Sequence, residues 1–188
     1  MIKNLIKSLA TLLKIKCNNN IVAGAHDYIG LNVKIVNRGK MIFADNVIIR
    51  PSTGLYTHID KSILEFGEGT EIGRDSTIAS YNKVIFEKNV LTGPHVYIAD
   101  HNHEYRNPDI PVKSGGVMVN DEDSVRIGEG SWLGTNVVVV GNVHIGKHCV
   151  IGANSVVTKD IPDYTVAAGI PCKVIKRYDF ERKEWVRI

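Results

Sequence analysis

The sequence predicts an all-β protein whose chain winds into a parallel β-helix, and three observations predict it. The first is a period of six. Ile127, Leu133, Val139, Ile145, Ile151 and Val157 are apolar residues spaced by six, and the spacing recurs upstream at Phe43 and Ile49, at Phe66, Ile72 and Ile78, and at Phe86, Thr92 and Ile98. Thirteen of these fourteen units begin with an apolar residue. The second is glycine, which fills seven of the fourteen second positions (67, 73, 93, 128, 134, 146 and 152) where 17 Gly in 188 residues would place one or two. The third is the failure of the ordinary alternatives: neither a helical period of 3.6 nor a sustained strand period of 2 accommodates a six-residue unit containing glycine.

A short strand followed by a tight turn does accommodate it. Glycine costs little at φ > 0 and lets the chain bend sharply, so each unit is expected to form one flat face and one corner. Three faces make a coil. Coils stack at about 4.8 Å, which pairs their backbones and turns the apolar first residues inward. Cys149 falls at an inward position of the same repeat.

Along the chain, residues 1–22 are expected to be a helical segment, because the apolar residues at 2, 5, 6, 9, 12 and 13 share one helical face while the lysines lie largely elsewhere. Such a helix would cap the open end of the coil or pack between subunits. The competing reading is an interfacial helix, residues 1–16, on an anionic membrane. Residues 23–163 hold the β-helix. Within them the pattern breaks at Asp100-His101-Asn102-His103-Glu104-Tyr105 and resumes cleanly at Ile127, so residues 100 to about 126 form an excursion containing Pro108, Pro111, Gly115 and Gly116. Long aperiodic loops in a compact domain are usually functional or disordered, and the His, Asp, Glu and Tyr at its root favour function. Residues 164–188 complete the coil and end in a short tail with Phe180, Trp185 and Ile188.

Composition narrows the function classes. Of the net charge of +3, residues 1–20 carry four lysines and no acid, which leaves 19 basic against 20 acidic residues in the body. So balanced a body lacks the positive field of a nucleic-acid binder. Cys17, Cys149 and Cys172 are an odd number at unrelated spacings, with no CxxC pair, so neither a disulfide framework nor a structural zinc site is expected. No apolar run reaches the roughly 18 residues of a membrane span. Asn18, Asn19 and Asn20 stand where a signal peptide would need a small-residue cleavage site. The expected compartment is a reducing one, the cytoplasm.

The repeats, together with Val156-Val157-Thr158-Lys159-Asp160-Ile161-Pro162 and the stretch Ala167-Ala168-Gly169-Ile170-Pro171-Cys172-Lys173-Val174-Ile175, resemble the hexapeptide-repeat acyltransferases of the left-handed β-helix fold. The likeness to galactoside, maltose and surface-polysaccharide O-acetyltransferases covers roughly residues 66–177. Left-handedness is implied by this resemblance alone, since parallel crossovers are generally right-handed. The resemblance implies a homotrimer that uses acetyl-CoA as acyl donor, needs no metal, and acetylates a sugar hydroxyl in building a surface polysaccharide such as capsule, O-antigen or exopolysaccharide. An N-terminal extension like that of the maltose and galactoside enzymes is not expected here, and a free small sugar is accordingly the less favoured acceptor.

Acyl transfer to an alcohol needs a base, because a hydroxyl is a poor nucleophile until its proton is being removed, and histidine titrates in the useful range. The family's catalytic histidine falls on His101, with His103 as the competing candidate. Asp100 or Glu104 would orient the imidazole through its other nitrogen, as a backbone carbonyl could equally. Asn82 falls near the family's acceptor-binding asparagine, or is a turn residue. Tyr105 belongs to the same polar cluster, and Trp132, at an outward corner, would line the acyl or acceptor channel or pack against another subunit. A pantetheine arm needs backbone partners along a groove and its nucleotide end needs basic groups. The resemblance puts Gly134, Ala153, Thr158, Lys159, Pro171 and Lys173 on that route, with Lys176 and Arg177 as further phosphate partners.

Three other functions compete. N-acetylation of a nucleotide-linked amino sugar is the nearest. A zinc-dependent γ-type carbonic anhydrase would draw three ligands from His95, His101, His103, His144 and His148. A catalytically idle assembly module fits less well, because the His motif and the C-terminal acyl-CoA pattern occur together.

Overall fold

A computed structural model of the protein describes residues 18–188, and the helix expected at residues 1–16 lies outside the described residues. From Ile21 the chain winds through three short strands per coil, and each strand pairs in parallel with its counterpart one coil on. The result is the β-helix that the repeat predicts. The first sheet stacks Ile21–Val22, Lys40–Phe43, Ile63–Phe66, Lys83–Phe86, Ser124–Ile127 and Val143–Ile145. The second stacks Tyr28–Ile29, Ile48–Ile49, Glu71–Ile72, Leu91–Thr92, Trp132–Leu133, Val150–Ile151 and Thr165–Ala168. The third stacks Lys34–Asn37, Gly54–Thr57, Thr77–Ser80, Tyr97–Ala99, Val138–Val140 and Val156–Val157.

The six-residue spacing is visible in the register. Phe86 sits opposite Phe66 and Ile127, Leu133 opposite Thr92 and Ile151, and Ile98 opposite Ile78 and Val139. All of these but Thr92 are apolar, and they form one continuous core. Phe43, Phe66 and Phe86 stack down its centre with ring centroids 5.1 Å apart at each step. Thr92, the single polar first residue, is accommodated because its Oγ1 accepts the Gly73 N–H at 2.9 Å.

The second-position glycines serve a different purpose from the one the sequence suggests. None of the seven has positive φ. A Cβ built on Gly73 would lie 2.1 Å from the carbonyl oxygen of Gly93, and one on Gly128 would lie 2.4 Å from the carbonyl carbon of Gly146. These glycines are needed because the next coil passes too close for a side chain. The left-handed turns fall two residues later, on Asn46, Asn89 and His148 at the first corner and on Asn32, Ser52, Asp75, His95, Asn136 and Asn154 at the second. Asn and Asp tolerate that region better than most residues because their short side chains bond locally.

The third corner, between the third sheet and the first, follows no such rule. The chain crosses it directly at residues 81–82 and leaves it altogether after Asp100. The excursion pairs Asn102–His103 with Val117–Met118 in an antiparallel ladder, makes one short helix at Val112–Gly115, and rejoins the first sheet at Ser124, sooner than the clean repeat at Ile127 indicates. Two contacts hold its returning limb: Asn82 Nδ2 donates to the Asn120 carbonyl at 2.6 Å, and Lys61 Nζ lies 2.6 Å from Asp121 Oδ1. Beyond Ala168 the chain turns back as the antiparallel strands Lys173–Asp179 and Glu184–Arg187, where Tyr178 packs edge-on against Trp185. No helix among the described residues is long and apolar enough to cross a membrane.

Candidate active site

The third corner gathers the polar chemistry. The third residue after the inward residue in the first four strands of the third sheet is, coil by coil, Arg38, His58, Tyr81 and His101. These four line one cavity of about 610 Å³ on the outer face of that sheet, with Tyr56 and Tyr97 from the strands and His103 from the excursion.

Asp100 is the buried foundation of the corner, with 0% of its surface exposed. Its Oδ2 accepts the backbone N–H groups of Asn82 and Lys83 at 2.7 and 2.6 Å, and its Oδ1 accepts that of Tyr81 at 2.8 Å. His101 Nδ1 lies 2.9 Å from the same Oδ1. Burial opposes ionisation of this carboxyl, but the His101 hydrogen bond and the three backbone donors outweigh it and hold Asp100 below the usual carboxylate range. An ionised Asp100 accepts only, so Nδ1 must carry the proton and Nε2 is left as the free lone pair. His101 itself is largely enclosed, its side chain 14% exposed.

His58 joins this site, although the sequence reading did not select it. Its ring meets His101 edge-on, with centroids 5.0 Å apart at 79°, and lies nearly parallel to Tyr56 at 6.2 Å. Tyr81, from the coil between them, packs against His101 at 5.7 Å and against His58 at 6.5 Å. The signal was available: His58 stands three residues after Leu55, as His101 stands three after Ile98. Leu55 continues the six-residue spacing of Phe43 and Ile49, but the repeat had been followed only as far as Ile49 in that run, so His58 was not weighed.

The other expected residues fall in several places. His103 lines the cavity. Glu104 turns to Arg106, whose Nε bonds its Oε1 at 2.9 Å, and this side-chain bond together with the Arg106 N–H pulls the Glu104 carboxyl down to about 2. Tyr105 is exposed. Asn82 does not line the cavity of His101; its Nδ2 donates to the Asn120 carbonyl, and its Oδ1 is buried without a partner. Trp132 projects from the second sheet between Leu91 and Val150, on a different face from His101. Gly134 is buried where the second sheet turns toward the third, its N–H already given to the Ile151 carbonyl, with Ala153 stacked directly beyond it. Thr158, Lys159, Pro171, Lys173 and Arg177 are exposed and Lys176 is half-buried, all around the last coil. One chain therefore does not bring these groups into the cavity of His101. Among the described residues no three His, Cys, Asp or Glu side chains gather as a metal site. His95, one of the histidines considered as a zinc ligand, is a left-handed corner residue at the second corner.

The family described as "Bacterial transferase hexapeptide (six repeats)" matches residues 124–159. Escherichia coli K12 WbbJ, assigned by its name to lipopolysaccharide biosynthesis as an O-acetyl transferase, is 38% identical over 161 residues, 84% of this chain and 70% of that protein. The galactoside O-acetyltransferase of Lactococcus lactis is 35% identical over 147 residues, 74% of this chain and 68% of that protein. Among solved structures, a galactoside acetyltransferase in complex with coenzyme A superposes with a TM-score of 0.55 at 23% identity, over 97% of this chain and 84% of that one. The repeat match within the stacked coils, with a relative 38% identical over 84% of this chain, makes this chain a member of the hexapeptide-repeat acyltransferase family.

Proposed function

We propose that the protein transfers an acetyl group from acetyl-CoA to a hydroxyl of a carbohydrate acceptor, with His101 as general base, in the assembly of a surface polysaccharide. The observation that carries this reading is the pair Asp100–His101, which leaves one imidazole nitrogen free at a cavity of about 610 Å³. His101 Nε2 takes the acceptor hydroxyl proton as the oxygen bonds to the thioester carbonyl carbon. The C–S bond then breaks, and His101 returns the proton to the departing sulfur. Asp100 stabilises the imidazolium that forms between these steps.

Cys149 is no nucleophile. It is fully buried, its Sγ lies 3.0 Å from the Pro162 carbonyl, and burial pushes its thiol above the ordinary range. Transfer is therefore direct. The exposed groups of the last coil, Thr158, Lys159, Pro171, Lys173, Lys176 and Arg177, with Ala153 and Gly134, are proposed to hold the donor in a groove completed by a neighbouring subunit of a homotrimer. That arrangement accounts for their distance from His101 within one chain. WbbJ is named for O-acetyl transfer in lipopolysaccharide biosynthesis, and the likeness supports an acceptor of the surface-polysaccharide class here.

Thiol release from acetyl-CoA, measured across a panel of glycosides, oligosaccharides and amino sugars, tests the reading. Acceptor-dependent release with hydroxyl acceptors is expected. Release with amino sugars alone would replace O-transfer by N-transfer, and no acceptor-dependent release would overturn the proposal.

A further inference from the structure

The Asp100 hydrogen bond fixes one nitrogen of His101 but not the plane of its ring, since an imidazole bonded through Nδ1 can still tilt about that contact. Something must hold the other side. His58 meets the His101 ring at 5.0 Å and 79°, and is itself pinned by the nearly parallel Tyr56 ring at 6.2 Å and by Tyr81 at 6.5 Å. Tyr56 in turn lies where a side chain on residue 54 would stand: a Cβ on Gly54 would come within 2.6 Å of the ring. Lys34 Nζ sits 5.5 Å from the Tyr56 centroid. A continuous run of contacts thus leads from Lys34 through Tyr56 and His58 to His101 and Asp100, crossing four coils.

We propose that His58 is a positioning residue for His101, its ring holding the base with Nε2 toward the cavity. This rests on the acyl-transfer reading for what the base does, but not for the geometry. The groups facing His58 are His101 and Tyr81, Tyr56 on its own strand, Arg38 from the preceding coil, and His103 from the excursion; Arg38 is accompanied by Asp60, and Asp100 lies behind His101. Partial desolvation and the neighbouring His101 push the His58 pKa down, against the pull of Asp100. This favours the neutral form of His58, which acts on His101 as a ring rather than as a charge.

The test uses the full chain, labelled with 15N-histidine, as wild type, His58→Ala and His58→Phe. Ring-nitrogen spectra read the tautomer and mobility of His101, and steady-state kinetics read turnover. Wild type should show one His101 tautomer with Nδ1 protonated. His58→Ala should broaden or mix that signal and lower kcat roughly 10- to 100-fold, the scale of a small misplacement of a reacting group, with the KM for acetyl-CoA hardly changed. His58→Phe, which keeps a ring and no nitrogens, should recover the single tautomer and most of kcat, with the acid limb of the pH–rate profile where wild type has it. An unchanged His101 spectrum and kcat in His58→Ala would overturn the proposal. So would His58→Phe as impaired as His58→Ala, which would show that the His58 nitrogens, not its ring, are needed. If wild type releases no thiol with any acceptor, the acyl-transfer reading fails, while the spectra of the two variants still decide the positioning role.

Discussion

Replacing Asp100 with Asn exchanges one oxygen for an NH₂ group and tests the whole corner. The carboxylate accepts five hydrogen bonds: Tyr81 N and His101 Nδ1 on Oδ1, and Asn82 N, Lys83 N and, at 3.4 Å, the Ser80 hydroxyl on Oδ2. An amide keeps one acceptor oxygen and must place its NH₂ at the other site. Placed at Oδ2, it would face two backbone N–H groups. Placed at Oδ1, it strands only the Tyr81 N–H, and it donates to His101 Nδ1. That forces the proton of His101 onto Nε2 and removes the lone pair proposed to serve as base. A buried donor left without an acceptor costs about 1–3 kcal/mol, and the surviving bonds lose the strength of a charged acceptor, so Asp100→Asn should destabilise the fold by about 2–5 kcal/mol. Turnover should fall on the order of 10³- to 10⁴-fold, the scale seen when a catalytic histidine is held in the wrong tautomer. Because the folded-state pKa of Asp100 is depressed, the stability it adds is present above the unfolded value of about 3.9 and is lost as pH falls through the folded value. The gap between wild type and variant in urea midpoints should therefore be full at pH 7 and shrink below about pH 4. A variant with near-normal kcat, or one whose His101 still carries its proton on Nδ1, would refute this account of the corner.

His101→Ala should lower kcat on the order of 10²- to 10⁴-fold with little change in coenzyme A affinity by calorimetry, while His103→Ala keeps most of its turnover. Intact mass after incubation with acetyl-CoA alone should show no acetylated protein, since Cys149 is buried with its thiol pKa raised. Gly73→Ala should lower the melting temperature far more than Gly116→Ala: the first drives a Cβ to 2.1 Å from backbone, whereas the second meets nothing within 4 Å and carries only the strain of φ 81°, about 1 kcal/mol. Light scattering should return a trimer of the 20.8 kDa chain, and a fully active monomer would remove the shared donor groove.

The core was legible because the constraint on it is periodic. A residue such as Leu133 must be apolar wherever a coil has an inward position, and that recurs at fixed spacing however the corners differ. The glycines were visible for the same reason, yet their cause was not, because the sequence shows only that position 73 has no side chain. The close passage of Gly93 belongs to the neighbouring coil, twenty residues on. The roles of Asn82 and Glu104 were illegible for a related reason: their partners, Asn120 and Arg106, lie inside the excursion, where no period fixes a register.

That asymmetry also accounts for where the chemistry sits. At the first and second corners the coil is closed by a left-handed residue at a set place, so length and residue type are both constrained and an insertion would break the stacking. The third corner carries no such residue at Tyr81 or His101, and the chain length there varies from coil to coil. Side chains at that corner can be polar, and loops can leave and return, while the apolar positions of the same strands, Leu55, Ile78 and Ile98, stay in register inside. His58, Tyr81 and His101 are thus held at coil spacing by a core in which they take no part. A rigid stack with one permissive corner gives a catalytic group the precision of a strand and the freedom of a loop.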